Sequence, residues 1–302
     1  MAKRITPAME RFERRGGGKK KEKSSSYWSD VWRRLRRNPT AMFGLIVVGI
    51  MILCAIFAPI VAPYDYAATD YSAMCSRPSL KHIFGTDNLG RDLFSRCIYG
   101  ARYSLSIGFA TMFTSLLTGV TLGLVASYFG GRVDNFIMRV VDIFSAIPGT
   151  LMSITIVATL GNGLPQLLVA ITIGLMCMMS KVTRAAVFTV RGNDFVESSR
   201  AIGAKNLRLM FRHILPNAAG HIIISAVGTI ASGIMIVSTL SYIGLGIQPP
   251  TPEWGALLNA GKGFITSHPY MVVFPGLLIL LTVLSLNLIG NGLRDALDPR
   301  LK

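Results

Sequence analysis

From Ile143 to Ser180 the chain runs for 38 residues without one Asp, Glu, Lys or Arg. Four further stretches share this property: Ala41 to Ala62, Tyr103 to Gly131, Ile214 to Pro252 and Gly263 to Leu293. No soluble domain hides so many uncharged runs, whereas a bilayer demands about 20 consecutive apolar residues for each helical crossing. Backbone polar groups inside hydrocarbon must be satisfied within the segment, so each run reads as a helix. The fold class is therefore an all-α polytopic membrane protein.

The 38-residue run is too long for one crossing, and Gly161-Asn162-Gly163 with Pro165 is a turn signal that divides it. Six transmembrane helices result, at about 41–62, 103–131, 136–160, 164–183, 217–246 and 270–292. Gly119-x-x-x-Gly123 in the second offers a surface for close helix packing. Upstream, residues 1–26 are rich in Lys, Arg, Gly and Ser with little to bury, and read as a disordered basic tail. Such a tail either attracts anionic headgroups or simply obeys the positive-inside rule. Residues 27–40 read as an interfacial amphipathic helix, with Trp28, Trp32 and Leu35 on one face and arginines largely around the other.

The formal net charge of +16 would suggest nucleic acid as a partner of a soluble chain. Here topology accounts for it. With six crossings both termini lie on one side. If that side is cytoplasmic, the inner segments 1–40, 132–142, 181–212 and 294–302 hold 25 of the 31 Lys and Arg. This is the positive-inside pattern, and nucleic acid is not needed.

The largest internal basic segment, 181–212, then faces the cytoplasm. Asp194 and Glu197 have capping-box spacing, so a helix is expected to begin at Phe195 and to stop at Gly203. Phe195, Ser199 and Ile202 share one of its faces. A second helical pattern, Leu207, Met210, Phe211 and Ile214, runs on to Pro216. Local pattern alone leaves two readings, an amphipathic loop on the membrane surface or a docking element for a soluble partner.

At this point the chain resembles a known family. The stretch is similar to the EAA loop of ABC-importer permeases, which reads Glu-Ala-Ala, three residues, Gly, nine residues, Ile-x-Leu-Pro. Glu197, Gly203, Leu215 and Pro216 match in spacing; Ser198 and Ser199 replace the alanines, and His213 stands at the isoleucine. The resemblance implies a coupling helix on a cytoplasmic ATPase, with Phe195, Glu197, Ser198, Ser199, Arg200, Ala201, Ile202, Gly203, Leu215 and Pro216 as the coupling residues. A second segment, Gly85, Thr86, Asp87, Gly90, Arg91, Asp92, Ser95 and Arg96, continuing to Gly100-Ala101-Arg102-Tyr103-Ser104, resembles the outer-face signature of dipeptide, oligopeptide and nickel permeases. The run Gln248 to Gly255, with Gly292 to Pro299, is similar to the second permease subunit of peptide importers.

The resemblance covers roughly residues 28 to 302 and implies the type I ABC-importer permease fold in a bacterial inner membrane. It implies three kinds of protein partner: a second homologous permease, two ATPase subunits and an extracytoplasmic binding protein. No cofactor is expected in this chain, since ATP and Mg would sit on the ATPases. Di- or oligopeptides are the expected substrate, with nickel or glutathione as alternatives.

The remaining residues bound the chemistry. His82, His213, His221 and His268 are scattered, so neither a metal site nor a catalytic centre is expected. Gly85-x4-Gly90-Arg91 lacks the Lys-Ser/Thr of a phosphate loop. Arg91, Asp92 and Arg96 form either local ion pairs at the entry to the second span or a substrate contact, and Trp254 is expected to anchor at the outer interface. Cys75 and Cys97 share one loop and are the pair able to form a disulfide if that loop faces an oxidising space. Arg139 is placed to pair with Asp142 at i,i+3. The apolar portions of the spans lack acidic and basic residues, which argues against an ion-coupled carrier, the less favoured alternative.

Overall fold

A computed structural model describes residues 27–297; the basic tail 1–26 lies outside the described residues. Among the described residues, five helices are long and apolar enough to cross a membrane, and a bent helix pair makes six when counted as one span. In chain order the elements are α1 (Tyr27–Arg37), α2 (Pro39–Ile56), α3 (Ala58–Val61), α4 (Leu93–Phe129), α5 (Gly131–Ser145) and α6 (Gly149–Leu160). They continue with α7 (Leu164–Arg191), α8 (Asp194–Ala201), α9 (Asn206–Arg208), α10 (Leu215–Tyr242), α11 (Trp254–Gly261) and α12 (Tyr270–Leu297).

Small residues set the bundle's closest approaches. A Cβ on Gly123 of α4 would strike the Ser180 carbonyl of α7, and one on Gly119 would meet Met176 O at 2.8 Å. With only hydrogens there, the two backbones come together and gain dispersion contact that larger side chains would prevent. At the start of α2, Asn38 caps the helix by accepting from Thr40 N at 3.1 Å and Ala41 N at 3.2 Å. The Asn38 amide also donates to Asp295 Oδ2 at 3.4 Å, tying α2 to the end of α12.

Four sequence expectations change. The helix expected from residue 103 begins ten residues earlier at Leu93, because Asp92 caps it through Ser95 N at 2.8 Å. The crossing expected as one helix over 136–160 is two, α5 and α6, bent by 80° at 146–148, where Pro148 has no N–H to continue the helix. Asp142 turns to Lys181 of α7 at 2.8 Å rather than to Arg139, because the neighbouring helix presents a cation directly opposite it. Finally, α1 buries Val31 and Leu35 against Ala296 of α12, while Trp32 stays exposed. Part of the face expected to lie in the headgroups is thus spent on the protein's own C-terminal helix.

Candidate functional site

The α8 segment is held where two long helices end. Only Gly192 and Asn193 separate α8 from α7, and the chain then returns through α9 and a π-helical turn, Leu209–Ile214, into α10. Val196 is the buried residue of α8 and packs with Leu209, Met210 and Ile214. Burying one valine side chain contributes about 1.5–3 kcal/mol, enough to seat a two-turn helix that would not hold in isolation.

The expected capping box does not form. Asn193 is the N-cap and makes no side-chain cap bond, while Asp194 and Glu197 both sit in the first turn. There they face solvent and complement the positive end of the helix dipole. The C-terminal end follows expectation: Ala204 N donates to Ser199 O at 3.1 Å and Gly203 N to Arg200 O at 3.0 Å. This pair of bonds is a Schellman motif, which requires a left-handed residue, and Gly203 has φ +85°.

Away from Val196, α8 offers the solvent an apolar pair on a polar ground. Ile202 is 86% exposed and Phe195 39%. Glu197, Ser198, Arg200, Ala201 and Gly203 are also exposed, and half-buried Ser199 donates its hydroxyl to Phe195 O at 2.7 Å. Leu215 is half-buried and Pro216 exposed. The second helical pattern runs on into the fifth span, and Pro216 is accommodated because it falls in the first turn of α10, where no N–H is needed. The π turn also splits the expected face: Met210 and Ile214 are buried, whereas Leu207 and Phe211 point out.

The second group of singled-out residues lies at the far end of α4. All eight, Gly85, Thr86, Asp87, Gly90, Arg91, Asp92, Ser95 and Arg96, are buried. Asp87 is the hub. Its carboxylate accepts from Leu89 N at 2.9 Å, Arg91 N at 3.0 Å and Arg91 Nε at 2.7 Å, with Arg96 Nε at 3.6 Å. Arg96 further donates to Tyr66 O at 3.0 Å.

Asp92 joins neither arginine. It caps α4 and meets His82 Nδ1 at 2.9 Å, with the Tyr64 ring 5.0 Å from the imidazole. His82 escapes a sequence reading because it lies outside the Gly85–Arg96 motif, ten residues from its partner. Gly90, at φ +75°, turns the chain under Asp70. Of the two readings of Arg91 and Arg96, the structure favours local ion pairs over a contact open to substrate.

The third segment proves to be continuous with the second. Trp254 is fully buried, donates from Nε1 to Cys97 O at 3.0 Å and lies against Gly100, where a Cβ would come within 2.9 Å of its ring. It is a core residue and not an interfacial anchor. Glu253, also fully buried, caps α11 through Ala256 N at 3.0 Å and accepts from Ser104 Oγ at 3.0 Å and Ser238 Oγ at 3.3 Å. The Gly100–Ser104 and Glu253–Gly255 segments are therefore one packed unit. Cys97 is buried beneath Trp254, and both Cys97 and Cys75 are free thiols, so the possible disulfide is not formed.

Asp87→Asn removes the charge opposite two buried guanidinium groups while keeping the shape. It is expected to cost about 1.5–3 kcal/mol, the range for hydrogen bonds to charged groups. A lowered midpoint in thermal unfolding of the purified protein checks it, with Asn88→Ala, half-buried nearby, as the mild control.

Comparison with known proteins agrees with this architecture. Residues 119–302 match the family described as binding-protein-dependent transport system inner membrane component, and residues 26–79 match the N-terminal transmembrane domain of oligopeptide transport permease C. The chain is 44% identical to the dipeptide transport system permease protein DppC of Alkalihalophilus pseudofirmus, over 92% of this chain and 91% of that one. It is 42% identical to the glutathione transport system permease protein GsiD of Escherichia coli, over 91% of each chain. It is 41% identical to the oligopeptide transport system permease protein OppC of Bacillus subtilis, over 94% and 93%. Among solved structures, an inward-facing MetNI methionine ABC transporter shares the fold, with TM-score 0.56 and 19% identity over 68% of this chain and 98% of that one. With the bent α5–α6 pair, the α8 segment and the buried Asp87 hub all in place, the chain belongs to the permease family of binding-protein-dependent ABC importers.

Proposed function

We propose that this chain forms half of the translocation pathway of an ATP-driven importer of di- or oligopeptides, and that α8 is the helix through which partner ATPases drive it. The observation that carries the reading is α8 itself: seated by Val196, closed by the Gly203 Schellman turn, and presenting Phe195 and Ile202 outward. An exposed apolar pair ringed by polar groups is what a protein partner covers. The excess of Lys and Arg in segments 1–40, 132–142, 181–212 and 294–302 supports a cytoplasmic location for α8 and for both termini.

In this reading a second, homologous permease completes a heterodimer. An extracytoplasmic binding protein delivers substrate, and ATP and Mg are held by the ATPases. Movement of α8 then rocks the spans between inward- and outward-open states. Peptides are favoured because two relatives carry dipeptide and oligopeptide names and the N-terminal domain matches that of an oligopeptide permease. Glutathione, a tripeptide, is the second reading, favoured by the GsiD relative.

The test is co-purification of the chain with its ATPases and stimulation of their hydrolysis by binding protein loaded with Ala-Ala or with reduced glutathione. Gly203→Asp strains the left-handed position, at roughly 1–2 kcal/mol, and adds a charge beside the docking face. It is expected to abolish stimulation; unchanged stimulation would overturn the assignment of α8.

A further inference from the structure

Four charged residues outside the family motifs link α7 to the bent crossing. On α5, Asp134 is 6% exposed, and both its carboxylate oxygens are bound by Arg184 of α7, Oδ1 by Nε at 2.6 Å and Oδ2 by Nη2 at 2.5 Å. Two turns further along α5, Asp142 meets Lys181 at 2.8 Å. The order is antiparallel: the later residue of α5 contacts the earlier residue of α7. The two contacts are separated along both helices and join α5 to α7 at two levels.

The same end of α7 is tied in a second direction. Arg191 donates to the Ser127 carbonyl of α4, and the guanidinium carbons of Arg184 and Arg191 both lie over the Phe188 ring, at 4.6 Å and 4.3 Å. Only two residues separate Arg191 from α8. Beyond the bend, α6 also packs on α7, with Ser153 donating to Ala170 O at 3.1 Å and Val157 buried beside Leu167 and Ile171. Both arms of the bent pair therefore ride on α7, one through ion pairs and one through apolar packing.

We propose that Asp134–Arg184 and Asp142–Lys181 form an ionic staple that makes the bent α5–α6 crossing travel with α7, so that a displacement delivered at α8 reaches the bend at 146–148. The proposal rests on the reading of α8 as the driven helix. The two contacts are unequal. Asp134 is buried and held at both oxygens, whereas the side chains of Lys181 and Asp142 are 45% and 65% exposed, where an ion pair contributes little. Asp134–Arg184 carries the link and Asp142–Lys181 adds a second, weaker contact. These are positioning residues, which touch neither substrate nor nucleotide.

The test uses the whole transporter in proteoliposomes with its binding protein. Three quantities are read: uptake of labelled Ala-Ala (or glutathione, if the wild type carries that), ATP hydrolysed per molecule imported, and ATPase subunits retained on purification. Asp134→Ala is expected to keep its ATPases and to hydrolyse ATP, yet to import about tenfold less per ATP. Lys181→Ala is expected to change import by less than about twofold.

The exchange D134R/R184D is expected to restore part of the import, partial because arginine opposes the dipole at the start of α5. Unchanged import per ATP in Asp134→Ala would overturn the proposal. So would a charge exchange that melts like the wild type yet imports as poorly as Asp134→Ala. Loss of the ATPases from Asp134→Ala would overturn it too, by making the contact part of docking. Failure of the α8 reading itself shows separately, as ATPases retained by variants of Ile202.

Discussion

Ile202→Asp is expected to strip the ATPase subunits from the purified complex while leaving the permease folded. Ile202 is 86% exposed, so its own chain loses almost no contact when it is replaced. Covering it with a partner would stabilise the complex by about 1.5–3 kcal/mol, and burying a carboxylate in its place adds a desolvation cost of at least similar size. A combined loss of about 3 kcal/mol or more weakens association more than about 100-fold. Phe195→Asp is expected to act in the same direction, less strongly, because that ring is 39% exposed. Stoichiometry of the ATPases in the purified assembly reads the effect, and the melting midpoint of the isolated permease is the control. ATPases present at wild-type ratio in both variants would show that this face is not the docking surface.

Trp254→Ala is expected to damage folding, not delivery. The indole is fully buried against Gly100 and bonded to Cys97 O at 3.0 Å, and truncation of a buried aromatic costs about 3–5 kcal/mol. Against a net stability of roughly 5–15 kcal/mol that is a large share, so low yield and a sharply lowered melting midpoint follow. Trp254→Phe keeps most of the volume and is expected to fall between the two. A Trp254→Ala protein that melted like the wild type but no longer responded to loaded binding protein would return this residue to the outer surface.

Several features were legible in the chain because their causes are local. The crossings follow from uncharged runs, the split of the 38-residue run from Gly161-Asn162-Gly163, and the close packing of α4 from Gly119 and Gly123. The end of α8 at Gly203 is equally local, since a left-handed residue after a helix selects glycine. The capping of α8 is another matter, although the helix starts at Asp194, within one residue of the expected Phe195. Asp194 and Glu197 have the spacing of a capping box, but buried Val196 fixes where the helix sits, and the carboxylates remain in solvent.

Other features had no local signature. Asp142 had an arginine within reach on its own helix, and only the arrival of α7 offered Lys181 as the partner. His82 and Asp92 became a pair when a loop folded back over the start of α4. Trp254 next to a proline-rich loop suits an interfacial anchor as well as a core, and the choice was made by Gly100 on a helix some 150 residues away in sequence, as the Ser104–Glu253 bond beside it shows.

By itself, then, the sequence determined the solvent each segment must enter, the number of crossings and the position of the α8 turn, because transfer free energy and backbone conformation are properties of short stretches. Tertiary structure alone decided which charges meet and which aromatic is buried. Those outcomes depend on pairs of residues far apart in the chain, whose interaction has no strength until packing brings them within a few ångströms and excludes water.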